Sequence, residues 1–376
     1  MIYRNSLPGL PLIPRNVAKV VPDVNNARLH YVGFARYGLF EGSRLLGIGP
    51  QDNVLVPAYI CRDALEPFLA LKAKIRYYKI KDNLSPDLES AEKFIDANTK
   101  ALLYVNYFGL SNGLCGCSDF CHKNKLYLIE DNAHALFANF DNLQGDICVF
   151  SLRKFYPVPN GALLFLRVAD RLTIKGNCTD STEERLRIAD YKFVAGTFLR
   201  ILYAYGANIF TNYFLLKYAK KTRRNLNHEE KQISLNDMSI YKKISKLSLG
   251  IINNTHFNYI FNRRRENYIF LHQLLQNVKS NHLQIMFEKT QAGIAPLAFP
   301  LVVKERRENL LNYLFLKGFV AYSWPDLPRD IAKNNDYTTE NFLSNTMVLL
   351  PIHEGMKRRH INKMVLSIEE WAKKFD

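Results

Sequence analysis

The chain has 376 residues, 48% of them hydrophobic and 23% charged, which supports one large or two medium packed domains and excludes a disordered chain. Its formal net charge of +16 favours anionic partners, whether phosphorylated substrates, nucleic acid or an anionic membrane surface, without choosing among them. Six scattered cysteines in so long a chain speak against a disulfide framework and fit a reducing cytoplasm.

The first residues, MIYRNSLPGLPLIPRN, are broken by Pro8, Pro11 and Pro14, and no signal peptide is expected there. A helix is predicted over 36–46, with Leu39 and Leu46 on one face. Strands are expected at 53–57, 75–80, 101–107, 126–130, 147–151 and 162–168, and helices at 62–71, 88–96 and 118–125. This alternation implies βαβ units: an α/β fold with a mainly parallel sheet sandwiched by helices, whose ligands bind at the carboxyl ends of the strands. Residues 172–250 break the pattern. The run 193–218 is apolar and aromatic but interrupted by Gly196, Arg200, Gly206, Asn208 and Asn212, and a basic cluster at 217–224 follows it. It reads as helices buried against the main domain or a dimer partner; a helix on an anionic membrane surface and a true span are the alternatives. From about residue 255 the pattern resets. A charged amphipathic helix is expected at 262–276, strands at 294–303 and 347–351, and a last helix at 361–375 with Met364, Val365, Ile368 and Trp371 on one side. The chain thus divides into a large domain, 1–250, with an atypical helical segment at 172–250, and a small α/β domain, 251–376.

Asp131 and Lys154 both fall just after predicted strands. A pyridoxal phosphate site needs that pair: a lysine amine to bind the aldehyde and shuttle protons, and an acid facing the ring nitrogen. A phosphate cradle is also needed, normally backbone amides at a helix N-terminus with a hydroxyl. Ala35 and Arg36 open the first helix, and Ser151 precedes Lys154 by three residues. His134 suits the ring hydroxyl, and Tyr59 or Cys61 the ring face. Each residue alone has a plainer reading: a cap, a solvated lysine, a buried histidine. Their order along successive strands carries the argument. The cluster Cys115, Cys117, Cys121 and His122 fits metal spacing only loosely, and no metal is expected. Neither the 220–224 nor the 263–265 basic cluster carries a nucleic-acid signature, so nucleic acid is not an expected partner.

Several segments resemble the DegT/DnrJ/StrS family of sugar aminotransferases. Residues 45–58, LLGIGPQDNVLVPA, resemble that family's ALGIGPGDEVIVPA stretch. Residues 128–135, LIEDNAHA, are similar to its VIEDAAQA, 145–151, GDICVFS, to its GDVGCFS, and 349–353 to its LPIH. The resemblance implies the aspartate aminotransferase (type I) fold, with Lys154 as the Schiff-base lysine, Asp131 as the pyridinium partner and His134 near the ring hydroxyl. Ser151 would bind the phosphate with Ala35 and Arg36. It further implies pyridoxal 5'-phosphate as cofactor, an amino-acid donor such as glutamate, and a nucleotide-linked keto-sugar acceptor. A cytoplasmic homodimer whose partner subunit completes the site is implied too, with peripheral contact at the inner membrane face through 193–224 as a further reading. Many members place the lysine five residues after the serine; here it follows by three, as SLRK before PVPNG, which resembles a distinct branch. A sugar dehydratase and a degenerate member that binds a partner or membrane are the competing functions. The family's dehydratases replace this lysine with histidine, so Lys154 argues against the first.

Overall fold

Short apolar runs bounded by turns build the main sheet. The computed structural model describes residues 27–110, 113–137, 140, 142–167, 182–183, 190–192, 194–195, 238 and 243–375. Its first strands are β1 (Ala27–Val32), β2 (Asn53–Pro57), β3 (Lys74–Tyr78), β4 (Thr99–Val105) and β5 (Tyr127–Asp131). The short β6 (Ala135–Phe137) follows, then β7 (Ile147–Phe150) and β8 (Ala162–Arg167). Among the described residues, seven of these form one sheet in the order β1-β8-β7-β5-β4-β2-β3. Every pairing from β3 across to β7 is parallel, and β8 alone runs against its neighbours. β2 and β7 are buried at every residue, as expected of strands covered on both faces.

Side-chain alternation assigns the two faces. Val54 and Val56 belong to the core that contains Leu39 and Leu45 of α1 (Ala35–Leu45), whereas Leu55 belongs to a separate core with Cys117 and Phe120 of α4 (Leu114–Asn124). α1 lies hard against β7: a Cβ on Gly42 would stand 2.5 Å from Ile147 Cδ1. α2 (Glu66–Ala70) and α3 (Leu88–Glu92) complete the crossovers.

β9 (Thr182–Glu183) and β10 (Ile244–Ser245) form a short parallel pair. Further along the chain, β11 (Leu283–Ile285), β13 (Phe299–Val303) and β14 (Met347–Leu350) make an antiparallel sheet in the order β11-β13-β14. β12 (Ile294–Pro296) leaves it to pair with β6, matching Ala295 to Leu136. The helices Phe257–Leu275, Arg307–Leu316 and Arg358–Ala372 belong to this part, and the Trp371 indole donates to Asn309 Oδ1 at 2.7 Å, tying two of them together.

Three expectations differ in detail. The helix read over 62–71 is a 3₁₀ turn followed by α2, because Pro67 has no amide to continue a helix from Asp63. The single strand read over 294–303 is two strands in different sheets; between them the Leu297 amide turns to donate to Phe108 O at 3.0 Å. β1 and the helices Arg307–Leu316 and Thr338–Thr346 were not anticipated. The apolar run 193–218, the basic cluster 217–224 and the membrane contact read there lie outside the described residues, apart from 194 and 195, as does the N-terminal stretch 1–26. Among the described residues no helix is long and apolar enough to cross a membrane.

Candidate active site

Asp131 ends β5 and Lys154 ends the 3₁₀ turn Leu152–Lys154 that follows β7. β5 and β7 are parallel neighbours with Asp131 opposite Val149, so both residues reach the carboxyl edge of the sheet. Their side chains are near enough for charge to matter. Burial pushes the Asp131 carboxyl above the usual carboxylate range, while the Lys154 amine and a 2.9 Å hydrogen bond from the Ala133 amide pull it back. Cys61 shares this space. Burial pushes its thiol up to about 11, the Lys154 amine opposes the rise, and the Asp63 and Asp131 carboxyls add to it.

A buried polar frame sets the β5 terminus. Asn132 donates its amide to Val149 O at 2.8 Å and its side chain to Glu130 at 2.9 Å, and Glu130 also accepts the amides of Gln144 and Gly145. The Asn106 amide donates to Asp131 O at 3.0 Å. Burial raises the Glu130 carboxyl despite these donors.

The phosphate-cradle candidates flank the same edge. Phe34 caps α1, whose first turn carries no acidic side chain. The Ala35 and Arg36 amides lie in that turn, where a helix makes no internal use of its N–H groups. The Arg36 guanidinium points elsewhere, to Glu66 at 2.6 Å, so Arg36 offers its backbone. The Arg153 guanidinium lies 5.2 Å from the Phe34 ring, which sets the lysine turn beside this helix start. Ser151, buried, caps the 3₁₀ turn by position only and makes no side-chain cap bond, so its hydroxyl is not spent on the turn.

His134 stacks on Phe108 at 5.5 Å and 7°, and meets Trp324 in a T-shaped contact at 4.8 Å and 74°. Phe108 holds a left-handed φ of 59°, rare for a bulky residue, and Gly109 follows at 78°. A Cβ on Gly109 would stand 3.1 Å from His134 O and 3.3 Å from Ala135 Cα, so only glycine lets this loop lie on the His134 backbone. Tyr59 is fully buried; its hydroxyl donates to Trp324 O at 2.9 Å, and its carbonyl accepts the Tyr107 hydroxyl at 2.7 Å. Thus Asp131, Lys154 and Cys61 share one electrostatic neighbourhood, Ala35, Arg36 and Ser151 border the lysine turn, and His134 and Tyr59 sit in an aromatic cluster joined by Trp324.

Phe108, Trp324 and Arg264 escaped the sequence reading. Asn-Tyr-Phe-Gly at the end of a predicted strand was the available signal for Phe108; nothing local marks the other two. Arg264, fully buried, lies 4.9 Å from the Phe155 ring, donates to Leu297 O at 3.1 Å and pairs with Glu354 at 3.3 Å. A cavity of about 350 Å³ lined by Asp82, Gln284, Thr338, Thr339 and Phe342 lies away from these groups, against β11, β13 and the helix Thr338–Thr346. Among the described residues no three His, Cys, Asp or Glu side chains are grouped to hold a metal ion.

The fold is that of the sugar aminotransferases. S. venezuelae DesV, solved with a ketimine intermediate, superposes with a TM-score of 0.62 over 93% of this chain and 85% of that one, at 17% identity. NtdA from Bacillus subtilis, solved with bound cofactor PMP, gives 0.62 over 92% and 73%, at 14% identity. Within the sequence, residues 37–160 match the model of the DegT/DnrJ/EryC1/StrS aminotransferase family, the family the chain resembles. The UDP-4-amino-4-deoxy-L-arabinose–oxoglutarate aminotransferase of Shewanella sediminis is 33% identical over 112 residues, covering 29% of each chain. The chain therefore matches less than a third of that relative's length.

Proposed function

We propose that the protein is a pyridoxal phosphate-dependent aminotransferase that passes an amino group, from a donor such as glutamate, to a keto-sugar carried on a nucleotide diphosphate in glycan synthesis. The observation that carries this is the electrostatic coupling of one lysine amine and one buried carboxyl at the carboxyl ends of adjacent parallel strands. The residues fit the group. Asp131 would hold a proton on the ring nitrogen, the α1 amides and the Ser151 hydroxyl would take the phosphate, and His134 would face the ring hydroxyl. Bound there, the cofactor supplies an electron sink for moving an amine between carbon skeletons. Lys154 Nζ would hold the cofactor and would be the amine at hand to move a proton at the donor carbon.

We further infer a homodimer acting in the cytoplasm, with a large domain up to about residue 250 and a small one beyond it. The second sheet, formed wholly by residues after 280, supports that division. The test is direct. Protein loaded with pyridoxal phosphate is treated with borohydride, and the labelled peptide is mapped. Label on Lys154, and loss of the visible absorption band and of glutamate-dependent turnover in Lys154→Ala, are expected. Label on another lysine, or turnover surviving that substitution, would refute the assignment.

A further inference from the structure

We propose that Trp324 is the positioning residue of this site, holding the His134 imidazole in a slot against Phe108 and so setting how that ring meets the cofactor's ring hydroxyl. The inference rests on the proposed cofactor site and adds a residue from a distant part of the chain.

His134 sits between two aromatic groups, parallel to Phe108 and in a T-shaped contact with Trp324. With Phe108 and Trp324 themselves 5.5 Å apart at 81°, the three rings form one closed corner. The two neighbours bound the imidazole on two sides at roughly perpendicular orientations. The wall is itself anchored. The Tyr59 hydroxyl donates to Trp324 O at 2.9 Å, and the Tyr59 and Tyr107 rings pack on the indole at 5.2 and 5.8 Å. The neighbouring residues are held too: Ser344 Oγ donates to Pro325 O at 3.2 Å, and Asp326 pairs with Arg62. Trp324 is therefore fixed to the segment that follows β2, the same segment that carries Cys61 beside Lys154. Its indole meets His134 as a rigid ring crossed at 74°, which a flexible side chain could not supply.

A side chain that positions His134 should alter the tautomer balance of bound cofactor, because that balance depends on the hydrogen bond at the ring hydroxyl. A residue that merely stabilises the fold should not. The measurement is the ratio of the two visible absorption forms, with visible circular dichroism, of protein loaded with pyridoxal phosphate at one fixed neutral pH. His134→Ala and Trp324→Ala should each change the ratio in the same direction, by roughly threefold to tenfold, the scale of one buried aromatic edge contact. Combining them should add little to His134→Ala alone, and Trp324→Phe should restore most of the original ratio. If Trp324→Ala does not fold, Tyr59→Phe, which removes the anchor on Trp324 O, should give a smaller change of the same sign. An unchanged ratio in the Trp324 and Tyr59 variants, or effects of Trp324→Ala and His134→Ala that simply add, would overturn the proposal. Absence of any visible band from the unsubstituted protein would instead overturn the cofactor site on which it rests.

Discussion

The buried pair Arg264–Glu354 gives the sharpest quantitative test of how the second sheet supports the lysine turn. Arg264 is 0% exposed and Glu354 6% at their side chains, and the two meet at 3.3 Å. Removing one partner leaves a desolvated charge without its counter-ion, which costs about 3–5 kcal/mol. Replacing both by apolar residues of similar volume is close to neutral. Glu354→Gln and Arg264→Met should therefore each be strongly destabilising, while Arg264→Met/Glu354→Leu should recover most of the loss. At ~2.1 cal/mol/K per residue over 376 residues, a loss of about 4 kcal/mol lowers the thermal midpoint by about 5 °C. The assay is thermal and urea unfolding of cofactor-free protein for the four members of the cycle. The Arg264 variants should also weaken pyridoxal phosphate binding more than Glu354→Gln does, because they remove the guanidinium from the Phe155 ring, next to Lys154. Single substitutions costing under ~1 kcal/mol, or a double variant that loses the sum of both, would refute the reasoning.

Asp131 and Cys61 supply further tests. The folded Asp131 carboxyl titrates above its unfolded value, so the native state holds extra proton below that point, and stability falls as pH rises through the folded pKa. Asp131→Asn removes this loss. The midpoint advantage of the variant, without cofactor, should grow from pH ~4 toward neutrality, while its affinity for pyridoxal phosphate collapses; an advantage that shrank with rising pH would contradict the sign. With its thiol at about 11, Cys61 should react with iodoacetamide far more slowly than the exposed Cys115 at neutral pH. The Cys61 rate should keep rising as pH approaches that value, and Lys154→Ala should slow it further. Peptide mapping that finds Cys61 modified as fast as Cys115 at neutral pH would count against the geometry.

The strands of the main sheet were legible because buried parallel strands read as short apolar runs between turn residues, as at 53–57 and 147–150. β1 was not: its sequence, ARLHYV, mixes charge with apolar residues at an edge that only β8 covers. The positions of Asp131 and Lys154 at the carboxyl edge of the sheet were legible, because each follows a predicted strand. Trp324 was not, since its partners Tyr59, Phe108 and His134 lie about 200 or more residues away in sequence, and only the tertiary fold brings them together. Arg264 was misleading, for Arg263-Arg264-Arg265 reads as a surface cluster. Successive residues of a helix point about 100° apart, so only the middle arginine of the helix Phe257–Leu275 turns fully inward.

The short spacing between Ser151 and Lys154 has a geometric explanation. Val149 stands opposite Asp131, and five further residues of extended chain would carry Lys154 roughly 16 Å beyond the sheet edge. The 3₁₀ turn prevents this: the Lys154 amide returns to Ser151 O at 3.2 Å and the Phe155 amide to Leu152 O at 2.9 Å, while the Arg153 amide donates to Gly161 O at 3.1 Å. Ser151 itself stays extended, at φ −104° and ψ 92°, and its carbonyl accepts the Lys154 amide, so the turn folds residue 154 back toward residue 151. A five-residue spacing needs a different loop to achieve the same juxtaposition. The polar network behind this turn shows how it is held. Ser245 donates its amide to Asn160 Oδ1 at 3.1 Å and Ser248 its hydroxyl at 2.6 Å, immediately before Gly161. The serine–lysine separation and the 243–248 segment thus form one unit, and lengthening the turn by two residues without remaking that segment would carry the amine away from Asp131.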